Sequence, residues 1–367
     1  MPTAIAPSYP NEKIFALALE ELKEQISFET STATVLTALL MSKGCVDECD
    51  AQAVRVPVVL EDSPNVRNVA LYGSYATVSQ NTPKAAFYSG LGKKIGSFIV
   101  DKTELGQMNG NPKKLINSQK AQVVETFATS LERDLLGCNT LNDANAFPGL
   151  LTGMEAAAEA SQTLSPGGIS KATYSNWRNR YNTMSTFAVD GRVTWTKTYQ
   201  QCGRTGSIVD TMITDEDVWR LYEETLAGNI QLQTKKLGTT GFLGVGFRDA
   251  MVYSSKEFAN VPNLQADATG ATSIAGYTYF LTLDGTNNSE FGLKPEMFTR
   301  AGFGESIAKN NGKGIELAIT KGDMFRLEGP HRMPNADVLQ WDIILSGRMV
   351  FKSMGRLGIT KFTGAVQ

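Results

Sequence analysis

The chain has 367 residues, with 35 Lys and Arg against 37 Asp and Glu, a formal charge of −2, 42% hydrophobic residues and 20% charged ones. That balance lacks the basic excess of a dedicated nucleic-acid binder, and the length is enough for two compact units plus extended arms. No apolar run approaches the ~18 residues of a membrane helix, and the start lacks the charged-then-apolar pattern of a leader, so the sequence predicts a soluble protein made in a cytoplasm.

In chain order, a proline-bearing tail (1–10) precedes an amphipathic helix predicted over 11–26, with Ile14, Leu17, Leu22 and Ile26 near one face. A second apolar helix, TATVLTALLMSKG, stops at Gly44. Residues 54–105 are rich in β-branched residues, Tyr, Gly and Ser, with no helical period. They predict an extended arm with a turn at Asn81-Thr82-Pro83-Lys84 and a break at Gly90 and Gly92. Such an arm has little core of its own and needs a neighbour to lie against. Its tyrosines Tyr72, Tyr75 and Tyr88 are therefore candidates for packing on an adjacent subunit, since aromatics anchor interfaces.

Val124, Phe127, Leu131 and Leu135 then recur at helix spacing and predict a helix over about 118–137, ~30 Å long at ~1.5 Å per residue. Asn117 or Ser118 is its expected cap, Gly137 its stop, and Lys120, Glu125, Glu132, Arg133 and Asp134 its polar face. Further on, SIVDTMI (207–213) reads as a strand running into a helix capped by Thr214, with Ile213 and Val218 as a hydrophobic staple. More strands are predicted at 250–254, 277–283, 315–319 and 342–351, and His331-Arg332-Met333-Pro334 reads as a loop between units. Trp177, Trp195, Trp219 and Trp341 read as core residues.

Enzyme chemistry has little to stand on. Cys45, Cys49, Cys138 and Cys202 are scattered without a disulfide framework or a set of four zinc ligands, and His331 is the sole histidine. GFLGVGF (241–247) lacks the Gly-Lys-Ser/Thr ending of a phosphate loop, and no G-x-S-x-G elbow exists. The acids Asp215, Glu216 and Asp217 are accounted for by a helix N-terminus. The sequence predicts no cofactor, metal site or catalytic residue.

An ordered set of blocks carries a resemblance. The extended arm is followed by a helix ending in L-x-x-x-L-L-G at 131–137, then NAFPGLLTGMEAA at 145–157, SKATYSNWRNRYNT at 170–183, SIVDTMITDEDVWRLYEETL at 207–226 and the C-terminal WDIILSGRMVF. Over roughly 50–363 this resembles the major capsid proteins of tailed bacteriophages, with the Hong Kong 97-type fold. The resemblance implies an α+β chain with an N-terminal arm (1–53), an extended β-hairpin E-loop (54–106), a P-domain with a long spine helix (107–147 and 336–367) and an α/β A-domain (148–335). It implies self-assembly into pentamers and hexamers of an icosahedral virion shell around double-stranded DNA, without sequence-specific binding and without a membrane. A separate scaffolding protein and a portal protein are the implied partners, and a decoration protein stays open. Besides the three tyrosines, Lys93, Lys94, Glu132, Arg133 and Asp134 become candidates for contact between subunits. Two alternatives stay open: an encapsulin-type compartment shell, and a soluble oligomeric enzyme.

Overall fold

The computed structural model describes residues 34–49, 53–58, 60, 84–102, 112–137, 147–203, 209–227, 234–236, 243–261, 276–284, 313–333 and 337–364. The helix expected over 11–26, the tyrosines Tyr72 and Tyr75, the turn residues 81–83 and Cys138 lie outside them.

The N-terminal apolar stretch forms helix α1 (Val35–Ser42) and stops where Lys43 and Gly44 turn the chain, Gly44 at a φ of +61° that a side chain would resist. Residues 35–40 of α1 are all buried, and strand β1 (Val46–Cys49) follows directly. This part of the expected N-terminal arm therefore belongs to the protein's own core.

The extended arm divides at Gly90, which takes a φ of +76°. Before it, β2 (Ala53–Val58) and β3 (Lys84–Ser89) form an antiparallel pair, with Ala53 opposite Ser89 and Val58 opposite Lys84. After it, β4 (Gly92–Asp101) lies antiparallel along the later strand β13 (Val338–Phe351), in unbroken register from Gly92 opposite Gly347 to Asp101 opposite Val338. On its other side β13 pairs with β11 (Ile315–Thr320) and β12 (Arg326–Arg332), and β1 lies parallel to β11. The result is a five-stranded sheet. His331 thus sits in a strand, not in the linking loop expected, because 326–332 finds a partner edge in β13.

The long helix α2 spans Pro112–Gly137, 26 residues or ~39 Å, rather than starting near 118. Proline at a first helical position costs no hydrogen bond and presets φ, so the helix starts there and leaves Asn117 and Ser118 inside it instead of at its cap. Its apolar stripe, Val124, Phe127, Leu131 and Leu135, is buried as the spacing predicts.

A seven-stranded sheet forms the second layer, in the order β5 (Arg180–Met184), β14 (Gly358–Phe362), β10 (Tyr277–Leu281), β6 (Thr211–Asp215), β9 (Ala250–Ser255), β8 (Leu243–Phe247) and β7 (Thr234–Lys236). GFLGVGF accordingly supplies a strand. Every residue of β6, β10 and β14 is buried, as in strands covered on both faces. On one face, helices α3 (Arg192–Gly203) and α4 (Glu216–Ala227) enclose Trp195, whose ring meets Phe187, Tyr222, Phe247 and Phe280. On the other face, Ile213, Tyr253, Tyr279 and Leu281 join one continuous core with α1, α2 and the five-stranded sheet.

Two local expectations change. Thr214 is a buried strand residue sharing a 2.7 Å hydrogen bond with Thr278, so it does not cap α4. Ile213 and Val218 lie in different cores, because alternation along β6 sends Ile213 and Met212 to opposite faces. Residues 315–332 pair within the five-stranded sheet and 358–362 within the seven-stranded one.

The end of α2 is met at van der Waals distance by the chain returning through 147–154. A Cβ placed on Gly149 would stand 1.9 Å from the Asp134 carbonyl oxygen and 2.7 Å from that of Leu135. Replacing Gly149 by Ala is expected to destabilise the fold by about 3 kcal/mol through overpacking against backbone, read as a lowered melting temperature. An unchanged melting temperature would contradict this packing.

Candidate assembly interface

The last turns of α2 carry three of the contact candidates, and each finds a partner in its own chain. Glu132 is buried, and its carboxylate accepts hydrogen bonds from the backbone N–H groups of Leu36 (2.7 Å) and Thr37 (3.2 Å) and from the Thr37 hydroxyl (3.1 Å). It therefore caps the first turn of α1 from 95 residues away, satisfying donors that a helix leaves open. Arg133 pairs with Glu257, and Asp134 pairs with Lys94 on β4. Lys120, also expected on the polar face, is buried. The face read as polar is thus partly an internal surface, because Glu132 meets α1 and Asp134 meets β4.

Tyr88 is likewise enclosed. Its hydroxyl donates to the Phe351 carbonyl at 2.8 Å, and the Arg348 guanidinium lies over its ring at 5.1 Å. Its hairpin has a core after all: Gly167, at a φ of +65°, brings the 165–169 loop against Ala86 and Tyr88. Among the candidates within the described residues, Lys93 is the one left exposed on β4.

Alternation along β4 separates two faces. Phe98 and Val100 point inward, with Phe98 stacked on Trp341 at 5.3 Å between ring centres. Lys93, Ile95, Ser97 and Ile99 point outward, Ile95 and Ile99 being 52% and 54% exposed. Ser97 and Gln340 both donate to Asp342 on that face, at 2.6 and 2.8 Å. Ile95 and Ile99 thus form an open apolar strip on β4 that sequence reading missed, and Phe87 on β3 is open as well, at 50%. The period-2 pattern of KKIGSFIV carried the signal, but which phase faced inward depended on where α2 lay. A second open pair, Val189 at 79% and Val193 at 67%, stands where a wide helical turn (Phe187–Gly191) enters α3.

Among the described residues no group of three or more His, Cys, Asp or Glu side chains is placed to hold a metal ion. The open face of β4 combines exposed apolar side chains with Lys93 and the tied Asp342 carboxylate, a composition suited to protein contact.

The chain superposes on the subunit of the cyanophage A-1(L) capsid with a TM-score of 0.60, at 14% identity, over 89% of this chain and 92% of that one. The fold is that of a phage capsid protein. The capsid of a native GTA particle aligns at a TM-score of 0.48 and 11% identity, over 86% of this chain and 87% of that one. The encapsulin of the holo-SrpI complex from Synechococcus elongatus aligns at 0.44 and 12%, over 86% and 84%. No protein-family model and no curated protein matches the sequence. The resemblance read from the sequence thus holds at the level of the phage capsid fold, mixed in helix and sheet.

The Glu132 cap has a pH signature. Burial pushes this carboxyl up to about 7, with the Leu36 and Thr37 hydrogen bonds opposing the shift. A carboxyl whose folded value lies above its unfolded one adds stability that is complete below the unfolded value and lost as pH rises through the folded one. Relative to Glu132→Gln, the wild type should gain on the order of 2 kcal/mol between pH 8 and pH 4.5. Paired denaturation curves at the two pH values check this, and an equal difference at both would contradict it.

Proposed function

We propose that this chain is the major capsid protein of a tailed bacteriophage, a shell subunit that assembles with copies of itself around double-stranded DNA. The observation carrying this reading is the match to a phage capsid subunit over nearly the full length of both chains. A partial domain match would fit many functions; an end-to-end match in a chain with open apolar strips fits assembly. In the Hong Kong 97-type description, α2 is the spine helix, the β2–β3 pair and β4 are the base and return strand of the E-loop, the five-stranded sheet belongs to the P-domain and the seven-stranded sheet to the A-domain. Pentamers and hexamers close the shell by many contacts, each modest alone.

The work of such a subunit is mechanical. A ~39 Å helix braced at its C-terminal end gives a rigid strut. The arm exposes Phe87, Ile95 and Ile99, whose burial against a neighbour is favourable at about 25 cal/mol per Å². A scaffolding protein and a portal are the partners this reading calls for, with the mature location in the virion. A near-neutral charge suits a wall that must hold DNA without binding it tightly.

The test is co-expression with a scaffolding protein, followed by light scattering and electron microscopy. Closed shells or capsomer rings are the expected result, and a monodisperse small oligomer would overturn the proposal. Shells that pack a protein cargo and never DNA would instead favour the compartment function. Ile95→Asp and Ile99→Asp, at half-exposed positions, should each change subunit stability by less than about 1 kcal/mol yet lower the yield of closed particles at least about tenfold. Assembly at the wild-type yield would remove this strip from the interface.

A further inference from the structure

Beneath the arm hairpin, the segment 155–179 encloses a polar cluster that the shell function does not require. Lys171 is 0% exposed, as is Asn179. The Lys171 Nζ donates to Asn179 Oδ1 at 2.7 Å and lies 3.8 Å from Glu155 Oε2. The backbone of Glu155 holds the same amide from both sides: its N–H donates to Asn179 Oδ1, and its carbonyl accepts from Asn179 Nδ2, each at 2.9 Å. Gln162 fixes the Asn179 backbone at its N–H (3.1 Å) and carbonyl (2.8 Å). The Glu155 carboxylate is steadied by the N–H groups of Thr163 and Leu164, at 3.0 Å.

A water-excluded amine, an immobilised carboxamide with a donor on its oxygen, and a carboxylate beside the amine are the requirements for amide exchange. We propose that Lys171 and Asn179 are joined by an isopeptide bond within this chain, formed with Glu155 as the proton carrier. Nζ attacks Asn179 Cγ, and the Glu155 N–H stabilises the charge that develops on Oδ1. The proton released from Nζ passes to the Glu155 carboxylate and on to Nδ2. The Nζ–Cγ bond forms, the Cγ–Nδ2 bond breaks, ammonia leaves and Glu155 returns to its carboxylate form. Nothing is oxidised or reduced, and no co-reactant is consumed.

Attack needs a neutral amine. Burial lowers Lys171 to about 7, against the opposing pull of Glu155, so a large share is uncharged at neutral pH. The bond would weld the loop that carries Gly167, on which Ala86 and Tyr88 of the arm hairpin rest.

Intact-mass spectrometry of the denatured full chain tests this, with protease mapping after cleavage at Arg178. The expected result is a mass lower by one ammonia and a branched peptide joining the side chains at 171 and 179. A mass equal to that of the sequence overturns the proposal. So does ammonia loss with linear peptides alone, since a succinimide loses the same ammonia. Lys171→Arg and Glu155→Gln should each abolish the branched peptide. Branching in Glu155→Gln at the wild-type level would overturn the role given to Glu155. Because the wild-type peptide map decides the main point, the result does not depend on either variant folding.

Discussion

The last two turns of α2 tie together α1, the β4 strand and the seven-stranded sheet. Within seven residues the helix caps α1 through Glu132, reaches Glu257 beyond β9 through Arg133, and pairs with β4 through Asp134. At Leu136 its carbonyl accepts the hydroxyl of Tyr279, at 2.8 Å, from the middle of the seven-stranded sheet. Leu131, Leu135 and Leu136 fill the core between these attachments. A helix end leaves four carbonyls without intrahelical partners, and the Tyr279 bond satisfies one of them while joining one sheet to the helix that lies on the other.

This arrangement explains why the arm can be both extended and anchored. Ten residues of β4 pair along β13, so this part of the predicted arm is a strand of the five-stranded sheet. Its inner face stacks Phe98 on Trp341, and its outer face stays open. The same division recurs in β2 and β3, where Tyr88 turns inward and Phe87 outward. Along these strands alternate residues are buried in the protein's own core and open at its surface.

Much of the element inventory was legible in the amino-acid order. The helix of 35–42, the apolar stripe of α2, the break at Gly90 and strands β9, β10, β11 and β13 all follow from periodicity and glycine placement. The misreadings share one cause. Glu132 looks like part of a polar face until α1 is laid over it. Thr214 looks like a cap until Thr278 appears beside it, 64 residues away. Tyr88 looks like a residue without a core of its own until the 165–169 loop folds back on it. Each depends on a partner that local pattern cannot name.

The sequence by itself determined the kinds of elements, their order and the absence of recognisable catalytic motifs, because backbone preference and side-chain period are local properties. Only the tertiary structure decided which face of each element was inside. It brought Glu155, Lys171 and Asn179 around one amide and set Glu132 on a helix 95 residues distant. Burial and hydrogen bonding across the chain are properties of a packed arrangement, and the packing exists only once two sheets and one long helix have met.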